Sequence, residues 1–171
     1  MHQLIQSFSD GKISIEELPV PQCSVNGVVS KTKYTLISAG TEKMLLEFGR
    51  AGLLGKVTQQ PEKVKLVLDK IKTDGLLTTI DAVNAKLELP TNLGYCNVGV
   101  VVEVGSNVKN ITIGDRIISN GPHAEYVAVN KNLIAKVPNN VTDDSAVFAI
   151  IASIALQGIR LAKPTIGEKI V

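Results

Sequence analysis

Apolar and polar positions change their period several times along the chain, and each change marks an element. His2 to Ser7 and Lys12 to Leu18 alternate with the period of a strand, and Ser9-Asp10-Gly11 between them has the composition of a hairpin turn. Pro19 and Pro21 interrupt the alternation, which resumes from Val28 to Ser38. From Thr41 to Leu89 the period lengthens. Thr41 stands where it can cap a helix that has Glu42 in its first turn and Leu45 and Phe48 on one face. Pro61 suits the first turn of a second helix, whose Val64, Val67, Leu68 and Ile71 form an apolar stripe. After Asp74-Gly75, a similar stripe of Leu76, Ile80, Val83 and Leu87 predicts a third helix.

β character returns at Val98 to Val104. Gly105-Ser106-Asn107 and Gly114-Asp115-Arg116 read as turns, and Arg116 to Ser119, Ala124 to Val129 and Leu133 to Val137 as short strands. Thr142 caps a last helical region that runs through Asp143-Asp144 to about Ala162. Strands, a helical insert, strands and then helix predict a mainly β fold with α: a partly open β-barrel with a helical insertion and C-terminal helices. Thr165 to Val171 reads as a turn entering a buried strand, with the chain stopping inside it. The expected division is therefore a first domain over 1–162, with its insert at about 43–89, and the start of a truncated second domain over 163–171.

Composition narrows the function classes. Over 171 residues, 44% are apolar and 20% charged, the balance of an ordered globular core. A net charge of +2 is too small for a nucleic-acid footprint, and no apolar run approaches the roughly 18 residues of a membrane span. Neither nucleic acid nor membrane is an expected partner. The amino terminus lacks a basic region and a long apolar segment, so no secretory signal is read there. Cys23 and Cys96 make neither a disulfide framework nor a metal-type pair, and the expected location is cytoplasmic. In the insert, Lys63, Lys65, Lys70 and Lys72 interleave with Glu62 and Asp69, which is a solvated face. Its apolar stripes are expected to pack against the barrel; a wall of a substrate cleft, a lid or a subunit contact in a homo-oligomer is the alternative.

Several fragments, in order, resemble the amino-terminal, GroES-like domain of the medium-chain dehydrogenase/reductase superfamily, the group of the zinc-type alcohol dehydrogenases. They are Leu93-Gly94-Tyr95 followed by Gly99 to Gly105, Val108-Lys109 through Ile113-Gly114-Asp115-Arg116-Ile117, His123-Ala124-Glu125-Tyr126-Val127, Ala155-Leu156-Gln157-Gly158, and Gly167 to Val171. The resemblance covers nearly all the chain except Lys43 to Leu89, where ordinary members have a shorter connection. Leu36 to Glu42 and the long insert are similar to a zinc-lacking bacterial bi-domain oxidoreductase branch of polysaccharide-type loci. The resemblance implies the substrate-side domain of an NAD(P)-dependent oxidoreductase acting on an alcohol or carbonyl, with a sugar or nucleotide sugar as the small-molecule substrate. It also implies a C-terminal Rossmann domain as partner.

The same resemblance locates the site. Zinc-dependent relatives carry a Cys two positions before the residue matched by Thr41, where this chain has Ala39. Their Gly-His-Glu motif corresponds to Gly94-Tyr95-Cys96, and their third ligand falls near Ile151. Alanine and isoleucine offer no electron pair and tyrosine is a rare zinc ligand, so no zinc is expected. The four-cysteine lobe is also missing, because Ile118 to Pro122 contains no Cys. Thr41, Tyr95 and Ser38 are then the candidates to polarise a carbonyl and carry its proton. Thr41 has a second role as helix cap, and Tyr95 as a core aromatic. Cys96 is read as a buried structural thiol, His123 as a strand residue beside Pro122, and Asp115 and Arg116 as fixing a tight loop. Glu42 is read as architectural, pairing with a basic group. Ala155 is expected near the nicotinamide of NAD or NADP, whose Gly-x-Gly-x-x-Gly phosphate cradle occurs nowhere in this sequence. The isolated chain is therefore expected to be inactive.

Two readings from other classes stay open. One is a non-catalytic GroES-like interaction or assembly module, favoured if the polar groups of Thr41 and Tyr95 are buried and mutually satisfied. The other is a metal protein, which requires Cys23, Cys96, His2 and His123 to converge. Reading the gene past the codon for Val171 separates a continuing glycine-rich frame from a stop there.

Overall fold

The computed structural model describes residues 1–8, 10–52, 55 and 61–169. Ser9 of the predicted hairpin turn and Ile170-Val171 of the predicted final strand lie outside them. The chain divides into two compact units, one built from His2–Leu18 and Ile37–Leu93, the other from Pro19–Leu36 and the chain from Gly94 onward, together with Met1.

In the first unit, β1 (His2–Gln6) pairs antiparallel with β2 (Ile13–Glu17) and on its other edge with β4, a two-residue strand at Thr91–Asn92. Gly11 sits at φ +69° in the turn, with Arg50 packed so close that a Cβ would stand 2.7 Å from its backbone nitrogen. Helix α1 spans Ala39–Arg50. Its anchor is Gln6, which is fully buried and donates from Nε2 to the Leu45 carbonyl at 3.0 Å. Gly49 leaves room for that amide, and Phe8 meets Phe48 edge to face at 5.5 Å between ring centroids. Helices α2 (Pro61–Asp74) and α3 (Leu76–Glu88) form the predicted insert and pack on each other across Gly75, at φ +88°. Leu68, Leu76 and Ile80 of the predicted stripes remain exposed, whereas Thr79 is buried and returns its hydroxyl to the Gly75 carbonyl.

The second unit is a five-stranded antiparallel sheet in the order β7-β3-β5-β6-β8. Its strands are β3 (Gly27–Thr35), β5 (Asn97–Val104), β6 (Arg116–Ser119), β7 (Tyr126–Asn130) and β8 (Ile134–Lys136). A short 3₁₀ turn, Lys131–Leu133, joins the last two. The sheet is open, with β7 and β8 at its edges, so the fold is a mixed α and β, GroES-like architecture with a helical insertion and C-terminal helices. Two apolar clusters stabilise it. Val28, Val101 and Ile117 form one; Cys96, Val98, Val137, Ala146 and Val147 form the other. Cys96 is fully buried there, as a structural thiol should be.

The C-terminal helical region consists of two helices. Thr142 is the N-cap of α4 (Asp143–Ala146), as predicted, and α5 follows at Ala149–Ala162 after Val147-Phe148. Arg116 fixes α4 to β6: its guanidinium donates to Asp143 Oδ1 at 2.8 Å, to the Val141 carbonyl, and to the Pro138 carbonyl at 2.9 Å. Asp115 serves the adjacent turn, accepting from the Thr112 backbone at 2.7 Å and from Lys136 Nζ at 2.7 Å. Both residues thus fix loops.

The Lys136 ammonium, with the Thr112 amide, holds the Asp115 carboxyl below its ordinary value. The lower folded-state value makes its contribution to stability complete above the ordinary carboxylate range and lost as pH falls through and below that range. Asp115→Asn should therefore lower the melting temperature near neutrality and flatten part of the acid limb, so that variant and parent converge as pH falls. Parallel melts of variant and parent from about pH 6 downward check this, and superimposable acid limbs would contradict it.

Candidate functional site

Helix α1 begins one turn earlier than its sequence suggests. Ser38 is the N-cap, with extended backbone, and Thr41 lies inside the first turn, which corrects the expectation of Thr41 as cap. The physical reason is Glu42. Its carboxylate, only 6% exposed, accepts from the Ser38 backbone N–H at 2.9 Å and so draws the start of the helix back to Ser38. The hydroxyls of Ser38 and Thr41 meet at 3.4 Å. Of the sequence candidates, these two are brought together in the first unit.

Tyr95 and Ala155 belong to the second unit. Tyr95 packs against the Cys96–Val98–Val147 cluster, and Ile151, at the first turn of α5, packs on the same cluster. Ala155 follows one turn further along α5 and is exposed. Ala39 is the first residue of α1. Among the described residues, no group of three or more His, Cys, Asp and Glu side chains is placed to hold a metal ion.

A residue assigned elsewhere joins this region. His123 is not part of a strand; it sits in the bend before β7, with its imidazole laid over Gly94, immediately before Tyr95. Gly94 has φ +88°, and a Cβ there would come within 2.7 Å of three ring atoms of His123. The bend is held by a buried and a half-buried polar side chain. Asn97 is 1% exposed and donates from Nδ2 to Thr32 Oγ1 at 2.9 Å and, more weakly, to the Pro122 carbonyl at 3.5 Å. Thr32 in turn donates to the Ala124 carbonyl. Because the single hydroxyl proton of Thr32 is committed to Ala124, only the amide nitrogen of Asn97 can face it. This orientation leaves Asn97 Oδ1 buried without a hydrogen-bond partner among the described residues. The only local signal for any of this was Gly94; the bonds join residues 25 to 92 positions apart.

Residues 70–139 match the alcohol dehydrogenase GroES-like domain. Over these residues the chain is similar to the GroES-like domain of the alcohol dehydrogenases, which supports a place in the medium-chain dehydrogenase/reductase superfamily. It is similar to the mitochondrial NAD(P)H oxidoreductase RTN4IP1 of Dictyostelium discoideum, 33% identical over 93 residues, which cover 51% of this chain and 26% of that protein. It is also similar to D-guloside 3-dehydrogenase of Escherichia coli, 34% identical over 82 residues, 46% of this chain and 23% of the relative. The quinone oxidoreductase of Coxiella burnetii has the same fold over 98% of this chain and 47% of its own, with a TM-score of 0.66 at 23% identity. The chain spans about a quarter of the length of the two sequence relatives and about half of that structure.

Gly94→Ala should destabilise the protein by about 1–3 kcal/mol, because it combines a positive φ with a methyl group driven into the His123 ring. Chemical denaturation measures this; an unchanged midpoint would show that the ring does not rest on Gly94.

Proposed function

We propose that this chain is the substrate-side domain of a zinc-independent, NAD(P)-dependent oxidoreductase acting on an alcohol or carbonyl, with a sugar or nucleotide sugar as substrate. The observation that carries the reading is the GroES-like match combined with what occupies the ligand positions of zinc relatives. Zinc does not fit them. Ala39 has no donor, and Ile151 and Tyr95 share one apolar cluster, where a hydrated dication would lose its water without gaining a nitrogen or sulfur. The finer kinship, to zinc-lacking bi-domain enzymes of polysaccharide-type loci, rests on Leu36–Glu42 and the α2–α3 insert. The similarity to D-guloside 3-dehydrogenase supports a sugar substrate, and the similarity to an NAD(P)H oxidoreductase supports the cofactor.

A nicotinamide, when bound, gives or takes the hydride. The chain's own residues orient the substrate and manage the proton. The phenol of Tyr95 can donate to a carbonyl oxygen, and the Ser38–Thr41 hydroxyl pair can hold and pass a proton. Ala155, with no side chain beyond Cβ, leaves room for a flat ring over α5. No phosphate cradle occurs in these 171 residues, so a partner Rossmann domain supplies it and the isolated chain does not turn over. Helix α5 is suited to contact such a domain: none of its residues is buried, and Ile154, Leu156, Ile159 and Leu161 are all exposed.

Thr41→Val and Tyr95→Phe, made in the full-length protein, should each lower kcat by about a hundredfold with little change in melting temperature. Unchanged turnover in both variants would remove these residues from the mechanism.

A further inference from the structure

His123 is the side chain that the fold takes most trouble to hold and that the proposed mechanism leaves unused. Both carbonyls flanking it, those of Pro122 and Ala124, accept hydrogen bonds from side chains, the buried Asn97 and the half-buried Thr32 respectively. Those two side chains are themselves joined at 2.9 Å across β3 and β5. One bonded pair therefore grips the backbone on either side of a single residue. Its ring is then set by Gly94, whose missing Cβ is the space the imidazole occupies. The grip has a cost, since it leaves Asn97 Oδ1 buried without a partner among the described residues. A bend that needed only to turn the chain would not require it. Supporting polar residues that fix the backbone of one half-buried, hydrogen-bonding side chain next to a candidate site residue are the arrangement expected of a ligand-contacting group.

We infer that His123 is a substrate-contacting residue, its imidazole hydrogen-bonded to a hydroxyl of a polyhydroxy substrate lying beside Tyr95, and that Asn97 and Thr32 are its positioning pair. This deepens the proposed function and rests on it. A single imidazole nitrogen is a donor or an acceptor according to tautomer, and a hydroxyl can meet either. A substrate with a lone carbonyl and no neighbouring hydroxyl would gain less from it.

The test uses the full-length protein, with a panel of sugar alcohols, 3-keto sugars and small ketones followed by NAD(P)H absorbance. His123→Ala should raise KM for the polyhydroxy substrate about tenfold or more with kcat changed by less than about threefold, and His123→Gln should restore most of the loss. Thr32→Val should act in the same direction as His123→Ala, though more weakly, and should also broaden the His123 ring signals in NMR spectra. A KM unchanged in His123→Ala overturns the inference and leaves the oxidoreductase reading standing. If nothing in the panel is turned over, the oxidoreductase reading fails instead. His123 is then judged on the 171-residue chain by titration with methyl α-D-glucopyranoside. Displaced His123 ring signals would support a contacting role, and signals that do not move would overturn it.

Discussion

The hydrogen bond from Asn97 to Thr32 is the interaction on which the site region depends. It joins the two longest strands of the second unit, β3 and β5, on the face where register also places Gly99, Ile117 and Ser119. Buried polar groups on a sheet face are costly unless paired. Here the pairing is spent on the segment from Pro122 to Ala124, which would otherwise be an ordinary surface bend. The same strand that carries Asn97 begins two residues after Tyr95, so one buried amide relates the Tyr95 position to the His123 bend within a single unit.

Around this polar pair the apolar packing does a different task. Tyr95, Ile150 and Ile151 lie on the cluster of Cys96, Val98, Val137, Ala146 and Val147, which brings the start of α5 onto the sheet. Arg116 reinforces the join by neutralising Asp143 and saturating the carbonyls of Pro138 and Val141. Aliphatic packing and an arginine thus organise this region, and the proposal that the chemistry proceeds without zinc builds on that.

Much of the architecture was legible in the order of residues, because it rests on local signals. The alternation of Val98 to Val104, the stripe from Val64 to Ile71, and Thr142 before two aspartates each specify an element within a few residues. Other features rest on distant partners and were not legible. Strand β4 exists only because Thr91 and Asn92 meet β1, and two residues carry no periodicity. The start of α1 moved to Ser38 because of where the Glu42 carboxylate turned, although Thr41 stands directly before that acidic residue in sequence. His123 read as a strand residue because its neighbours alternate; what removes it from the strand is a clasp from Thr32 and Asn97, and a glycine nearly thirty positions earlier.

The central claim, a GroES-like oxidoreductase domain that works without zinc, is tested most directly by the metal content of the active full-length protein. The protein would be purified, dialysed against a strong chelator, and assayed for turnover alongside elemental analysis. Well under about 0.1 zinc per chain is expected with turnover undiminished, because the ligand positions offer no tetrahedral nitrogen and sulfur set. Stoichiometric zinc, with turnover lost on its removal and restored on its return, would contradict it.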